Sequence, residues 1–307
     1  MDKIECFKIR IAELKEELDL VGSREIIKIK CNSKMTFSEP TTIVADPFLF
    51  VKDDTLFLFF EDKKMFHNGV IAMIKTSDLI HWTEPVIVLS EICHLSYPWV
   101  FEENGHIYMV PETCGLKEIR LYEANDALDS FKYVKTIMKD DMNYTSGFSF
   151  SDTSIYKKDG YYFLMTTIND GKKNILKLYF SDKLDRDYVE HSMSPICIDN
   201  RYGRNAGSLI EYKEQLYRVA QNCEKRYGDN INLLMVQKLT TTSYKESVLK
   251  SNIIPNDVQF YKEGGHQLNV VKFKDRYIVA TDAKEYHYFI FNRIMRKIKK
   301  CIGGKIK

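Results

Sequence analysis

The chain has 307 residues, 44% hydrophobic and 13% aromatic, a composition with ample apolar content for a core and a bias toward strands. Its net charge of +2 is uneven, with seven Lys/Arg and no acid from Tyr286 to Lys307, and 38 basic against 43 acidic residues in the remainder. That acidic body offers no broad basic face, which excludes duplex nucleic acid as a main partner.

The seven cysteines form no C-x-x-C pair and no Cys/His spacing that suits zinc, so they read as reduced thiols and no metal is expected from them. No stretch is long and apolar enough to span a bilayer, and the acidic, mixed start Met1-Asp2-Lys3-Ile4-Glu5 does not read as a signal peptide. A cytoplasmic location is expected.

In chain order, Ile4, Phe7, Ile11, Leu14 and Leu18 recur at steps of three and four between charged residues. This spacing predicts a helical N-terminal extension over residues 1–25. Ile26-Ile27-Lys28-Ile29-Lys30 then reads as a strand. From Val44 onward, short strand-like runs alternate with turn signals: Val44 to Val51, Thr55 to Glu61, Val70 to Lys75 and Pro85 to Leu89. The first hairpin repeats. Tyr97 to Phe101 and His106 to Glu112 form the second copy, Asp152 to Tyr156 and Tyr161 to Met165 the third. Ala206 to Ile210 and Gln215 to Ala220 form the fourth, His266 to Val271 and Arg276 to Ala280 the fifth. The spacing of roughly 51 to 60 residues matches propeller blades. The expected fold is an all-β five-bladed β-propeller over residues 26–285. The fifth copy lacks strands, and the early run at Ile26 to Lys30 is the candidate to complete it. Residues 286–307 form a basic tail. Phe291, Ile294, Met295, Ile298 and Ile302 share one helical face, which predicts a basic amphipathic helix able to lie on an anionic membrane surface.

Residues opening the innermost strands of a propeller converge on one mouth of its channel. Here these are Asp46, Ser96 or Tyr97, Asp152, Arg204 with Asn205, and His266, with Glu61 and Glu112 ending second strands and Arg218 and Gln221 on the fourth copy. Carboxylates beside an arginine and a histidine suit sugar chemistry: one can deprotonate a hydroxyl, another donate a proton or tune a neighbour, and arginine can hold an anion. Each also has a structural reading. Asp before Pro forms turns, Glu61 and Glu112 can tie blades together, Arg204 and Arg218 can be ion-pair partners, and His266 can be a packed, satisfied histidine. Cys93, Cys114 and Cys223 read as packing residues.

Ala45-Asp46-Pro47-Phe48, Phe59-Phe60-Glu61, Ser96-Tyr97-Pro98, Pro111-Glu112-Thr113, Arg204-Asn205-Ala206-Gly207, Leu216 to Cys223, Tyr227-Gly228 and Gly265-His266 carry a family resemblance. The chain resembles the five-bladed propellers of glycoside hydrolase family 43. More closely, it resembles the N-terminal propeller domain of plant glucosamine inositolphosphorylceramide transferases and related bacterial proteins. The resemblance implies a base at Asp46 and a tuning carboxylate at Asp152. It supplies no acid Glu on the fourth copy, where Arg204-Asn205 stands, and Glu112 substitutes only if the geometry is rearranged. The leading expectation is therefore a glycosyltransferase-like enzyme of glycan or polysaccharide assembly, peripheral at the inner face of the membrane. Asp46 activates an acceptor hydroxyl, and Arg204 and Arg218 bind the phosphate of a nucleotide-sugar donor. Glu61, Tyr97, Gln221 and His266 complete the substrate contacts. A family-43-like hydrolase and a non-catalytic carbohydrate-binding propeller serving a partner glycosyltransferase remain open, the latter favoured if Tyr97 or Trp99 blocks the channel. No cofactor is required by the residues; Ca²⁺ near His266 is implied only by the resemblance.

Overall fold

The computed structural model describes residues 2–15, 17–31, 40–140 and 148–289. Five antiparallel sheets follow one another around a ring, each starting with its innermost strand. The first blade runs Thr41–Lys52, Thr55–Lys64, Val70–Thr76 and Val86–Leu89. The second runs Ser96–Glu103, His106–Glu112, Glu118–Ala124 and Phe131–Lys139. In the third, Phe148–Lys158, Tyr161–Asn169 and Asn174–Ser181 are followed by two short strands, Val189–Glu190 and Cys197–Ile198, that both pair with Asn174–Ser181. The fourth runs Ile210–Tyr212, Gln215–Asn222, Asn230–Leu239 and Tyr244–Lys250. Short 3-10 turns at Cys114–Leu116 and Gln259–Tyr261 are the helical segments among the described residues.

The fifth blade is built from both ends of the chain. Leu268–Phe273 and Arg276–Phe289 are its inner strands, Asp2–Leu14 is its third and Arg24–Ile29 its fourth. The third strand pairs with the second without a break from Asp2 opposite Phe289 to Leu14 opposite Tyr277. The early run at Ile26 does complete the blade, but the residues before it form no helical extension. They are a 13-residue strand. The strand mimics a helix because both its faces are covered. Cys6, Ile9 and Ile11 pack toward the first blade with Leu49, Leu58 and Ile278, while Ala12 and Leu14 pack toward the fourth with Val219 and Leu233. A strand buried on two faces loses the alternation that would reveal it. The predicted tail helix begins at residues that continue the last strand to Phe289, and its remainder lies outside the described residues.

The core is divided among the seams between blades. One apolar cluster lies between the fifth and first blades, one between the first and second around Phe59, Met109 and Tyr122, and one between the second and third around Leu121 and Leu164. A fourth lies between the third and fourth around Phe163 and Leu239, and a fifth between the fourth and fifth around Ile231 and Val279. Closure of the ring therefore depends on the N-terminal strand. Ile11 is fully buried, and truncating such a side chain typically costs about 2 to 5 kcal/mol. Ile11→Ala is expected to lower the urea midpoint of unfolding by a corresponding amount with an unchanged m-value, read by circular dichroism.

Candidate functional site

The blades repeat one local device where their innermost strands begin. Asp46, Tyr97 and Asp152 all adopt left-handed backbone, with φ of 52°, 48° and 51°. Each sits where strand register shifts, between Ala45 and Phe48, Ser96 and Trp99, and Ser151 and Ser154. Such bulges put an extra residue into a strand and re-aim its side chain, and non-glycine residues held there carry strain that the surroundings must over-determine.

The surroundings do so with buried acceptors. The bulge takes an N–H out of the ladder, and that N–H must find another partner. Asp46 N–H donates to Asp282 Oδ2 (3.3 Å), Tyr97 N–H to Asp46 Oδ2 (3.1 Å) and Asp152 N–H to Glu112 Oε2 (3.1 Å). At the fourth blade Asn205 N–H donates to Thr167 Oγ1 (3.2 Å), and Asn205 Nδ2 donates to the Asp152 carbonyl (2.9 Å). Each bond joins one blade to the next. Asp282, Glu112 and Thr167 hold matching places, each the seventh residue of a second strand, as does Glu61.

Around this ring the side chains form two connected groups. In the first, His266 Nδ1 lies 2.5 Å from Asp282 Oδ2 and His266 Nε2 lies 3.6 Å from Asp46 Oδ1. Asp282 Oδ1 also accepts the N–H groups of His266 (2.8 Å) and Gln267 (3.1 Å). Phe7 stacks on the imidazole at 4.6 Å, and Tyr227 meets it edge-on at 5.0 Å. In the second, Arg204 Nε donates to Asp152 Oδ2 (2.6 Å), to which Gln221 Nε2 also donates (3.3 Å). The Arg204 guanidinium lies between the rings of Tyr227 and Phe148, 4.9 and 5.0 Å from their centroids. Tyr227 touches both groups and is partly exposed.

Burial and crowding set the protonation of the carboxyls. Burial, with added repulsion from Asp282, Asp152 and Glu112, pushes Asp46 up to about 7 against the pull of His266. Burial likewise raises Asp152 to about 6, with Glu112 adding to it and Arg204 opposing. Glu61 is raised well above the carboxylate range by burial and by Asp46. For His266, burial works against the charged form, but Asp282 and then Asp46 outweigh it and raise its pKa.

Most of the residues expected at the mouth therefore stand together: Asp46, Glu112, Asp152, Arg204, Gln221 and His266. Glu61 is buried beside them with its Oε1 3.3 Å from His94 Nε2. Tyr97 lies deeper. It is fully buried, Phe48 packs edge-on against it at 4.8 Å, and its hydroxyl accepts the Gly207 N–H (3.2 Å) from the fourth blade. Its side chain thus reaches from the second blade across the ring to the fourth. Trp99 packs on Phe101 between the second and third blades. Arg218 does not join the cluster: it is fully buried and forked onto Glu246 (2.7 and 2.6 Å) and the Tyr202 carbonyl (3.0 Å), so its guanidinium is a tie within the fourth blade. Asp282, Tyr227 and Phe7 were not anticipated as site residues. Asp282 was readable by aligning the start of Arg276–Phe289 with those of Thr55–Lys64 and His106–Glu112, which puts it level with Glu61 and Glu112, whereas Phe7 arrives on a strand mistaken for a helix.

Asp46, His266 and Asp282 are also close enough to share a cation. Two carboxylates and an imidazole fall short of the six to eight oxygens that Ca²⁺ takes, and Asp282 is already committed to His266. Water would have to supply the remaining ligands, and the chemistry below routes no step through a cation.

The sequence of residues 25–283 matches the family model described as "Glucosamine inositolphosphorylceramide transferase 1, N-terminal". The chain belongs to that family. It is 33% identical over 252 residues to glucosamine inositolphosphorylceramide transferase 1 of Arabidopsis thaliana, covering 80% of this chain and 31% of that protein. The protein of the same name from Oryza sativa subsp. japonica is 34% identical over 226 residues, covering 71% of this chain and 29% of the relative. The chain thus spans less than a third of the curated relatives it matches. In fold it resembles a family 117 glycoside hydrolase of Zobellia galactanivorans (TM-score 0.56, 10% identity, covering 95% of this chain and 98% of that one). It also resembles the GH43 protein BlXynB of Bacillus licheniformis (TM-score 0.51, 16% identity, covering 68% of this chain and 44% of that one).

The raised Asp46 makes a signed prediction about stability. A carboxyl whose folded pKa lies above its unfolded value stabilises the fold least where it must be ionised. Stability is therefore lost as pH rises from the unfolded value of about 4 toward 7. Asp46→Asn removes that buried charge. Its Tm is expected to exceed wild type by about 2 to 4 °C at pH 8 and to show a smaller gain at pH 5, measured by scanning calorimetry.

Proposed function

We propose that this family member is a carbohydrate-active propeller that carries out glycosyl transfer at the mouth of the ring. The observation that carries the reading is Asp46. It is buried, pushed to about 7 and held between the Tyr97 N–H and the His266–Asp282 pair. A base with a pKa near the working pH is efficient at taking a proton from a hydroxyl. In the proposed step, Asp46 accepts the acceptor's hydroxyl proton as the acceptor oxygen bonds to the anomeric carbon. The bond from that carbon to the donor's phosphate oxygen breaks, and the electron pair leaves with the phosphate. Arg204 is the cation proposed to face that charge. Arg218, engaged with Glu246, takes no part. The blade-four opening carries Arg204-Asn205 where hydrolysis would want a carboxylic acid, and a phosphate leaving group needs no such acid.

A second reading, sugar binding without chemistry, draws on Tyr97, which reaches across the ring from the second blade to the fourth, and on the Arg204–Asp152 bond. That pair already neutralises the cation on which the donor phosphate would rely. Neutral glycans would then meet the carboxylates and the partly exposed Tyr227 ring. In either reading the basic tail is proposed to bring the site to an anionic membrane surface.

Thermal-shift titration with nucleotide sugars and neutral glycans separates the two readings. Transfer predicts stabilisation by a nucleotide sugar that Arg204→Ala reduces at least tenfold in affinity. It also predicts turnover that Asp46→Asn abolishes and that falls in wild type as pH drops below about 7, where Asp46 becomes protonated. Stabilisation by neutral glycans alone, indifferent to Arg204→Ala, would overturn the phosphate-linked donor and leave binding.

A further inference from the structure

Away from the mouth, at the seam where the two chain ends meet, the fifth blade gathers a second group of ligating side chains. Cys6 lies on the Asp2–Leu14 strand and pairs directly with Glu285 across the ladder; His287, two residues on, pairs with Ile4. Two residues apart on a strand share a face, so Glu285 and His287 point the same way. Cys31 comes in just after Arg24–Ile29. Its Sγ lies 3.3 Å from Glu285 Oε1 and 3.9 Å from His287 Nε2, and that nitrogen lies 2.8 Å from the same Glu285 oxygen. The Cys6 sulfur is within 4.8 Å of both the Cys31 sulfur and a His287 ring nitrogen.

We propose that Cys6, Cys31, His287 and Glu285 form a tetrahedral site for a thiophilic divalent metal of the zinc type, which clasps the seam closing the propeller. Ligand atoms 2.0 to 2.3 Å from a tetrahedral metal stand roughly 3.4 to 3.8 Å from each other. The separations among Cys31, His287 and Glu285, 2.8 to 3.9 Å, bracket that range, while the Cys6 sulfur, within 4.8 Å of the Cys31 sulfur and a His287 nitrogen, has to move inward to join them. Two sulfurs and an imidazole select Zn²⁺-like ions over Ca²⁺ or Mg²⁺. Supporting groups are in place: Glu285 Oε2 is held by Lys8 Nζ at 2.7 Å, which fixes the carboxylate and offsets charge. The thiols are buried while His287 remains about one-third exposed, which gives a metal a way in. Binding releases the two thiol protons, so affinity rises with pH.

The test is Co²⁺ titration of the full chain, purified under reducing conditions and stripped with chelator. Saturation at one equivalent is expected, with a thiolate-to-cobalt charge-transfer band and intense tetrahedral d–d bands, displaced by Zn²⁺. Cys31→Ser should remove the charge-transfer intensity in part and weaken binding at least tenfold, and His287→Ala should weaken binding while keeping that band. Zinc at 100 times its dissociation constant should raise the stability of the metal-free chain by about 2.7 kcal/mol. Weak, octahedral cobalt spectra in the reduced wild-type protein would overturn the proposal without recourse to any variant. So would a Cys6–Cys31 disulfide found in the protein as isolated, since it would consume both sulfurs.

Discussion

A backbone N–H withdrawn from its sheet must still be bonded, and in this protein that requirement shapes the whole centre. The bulges at Asp46, Tyr97 and Asp152 turn side chains toward the axis, and each frees an N–H in doing so. The acceptors that meet them are carboxylates from the neighbouring blade, because a buried amide left unpaired costs about 1 to 3 kcal/mol. One set of acids therefore both ties the fifth, first, second and third blades together and supplies carboxyl groups to the mouth.

That double duty explains the electrostatics. Asp46, Asp152, Glu112, Glu61 and Asp282 are drawn into a small volume by the fold's own need for acceptors, with His266 and Arg204 as opposing cations beside Asp46, Asp282 and Asp152. Hydrogen bonds favour the ionised acids, burial and mutual repulsion oppose it, and Asp46 ends near neutrality as a result. A carboxyl that weakens the fold when ionised, yet is poised to take a proton, fits the trade between stability and activity expected of a working site.

The fifth blade carries a different burden. Its pairing of Asp2–Leu14 with Arg276–Phe289 joins residues hundreds of positions apart, and it brings Phe7 against His266 and Lys284 against Glu5. Ring closure and the composition of the site are consequently one event. The same strands set Cys6 beside Glu285, so the proposed metal clasp and the mouth share a common scaffold.

The chain by itself determined the five-fold hairpin repeat, the early strand that completes the last blade and most of the residues at the mouth. Those signals are local: turn residues recur at fixed spacing, and a polar residue opens each inner strand. Tertiary structure decided what depends on contacts distant in sequence. The N-terminal residues became a strand because two blades bury both its faces, and doubly buried strands show no alternation. Arg218 was turned to Glu246 because a strand residue's face follows from pairing and register, which its neighbours in sequence do not reveal. Cys6, Cys31 and His287 have no telling spacing because their proximity is created only when the two ends of the chain pair.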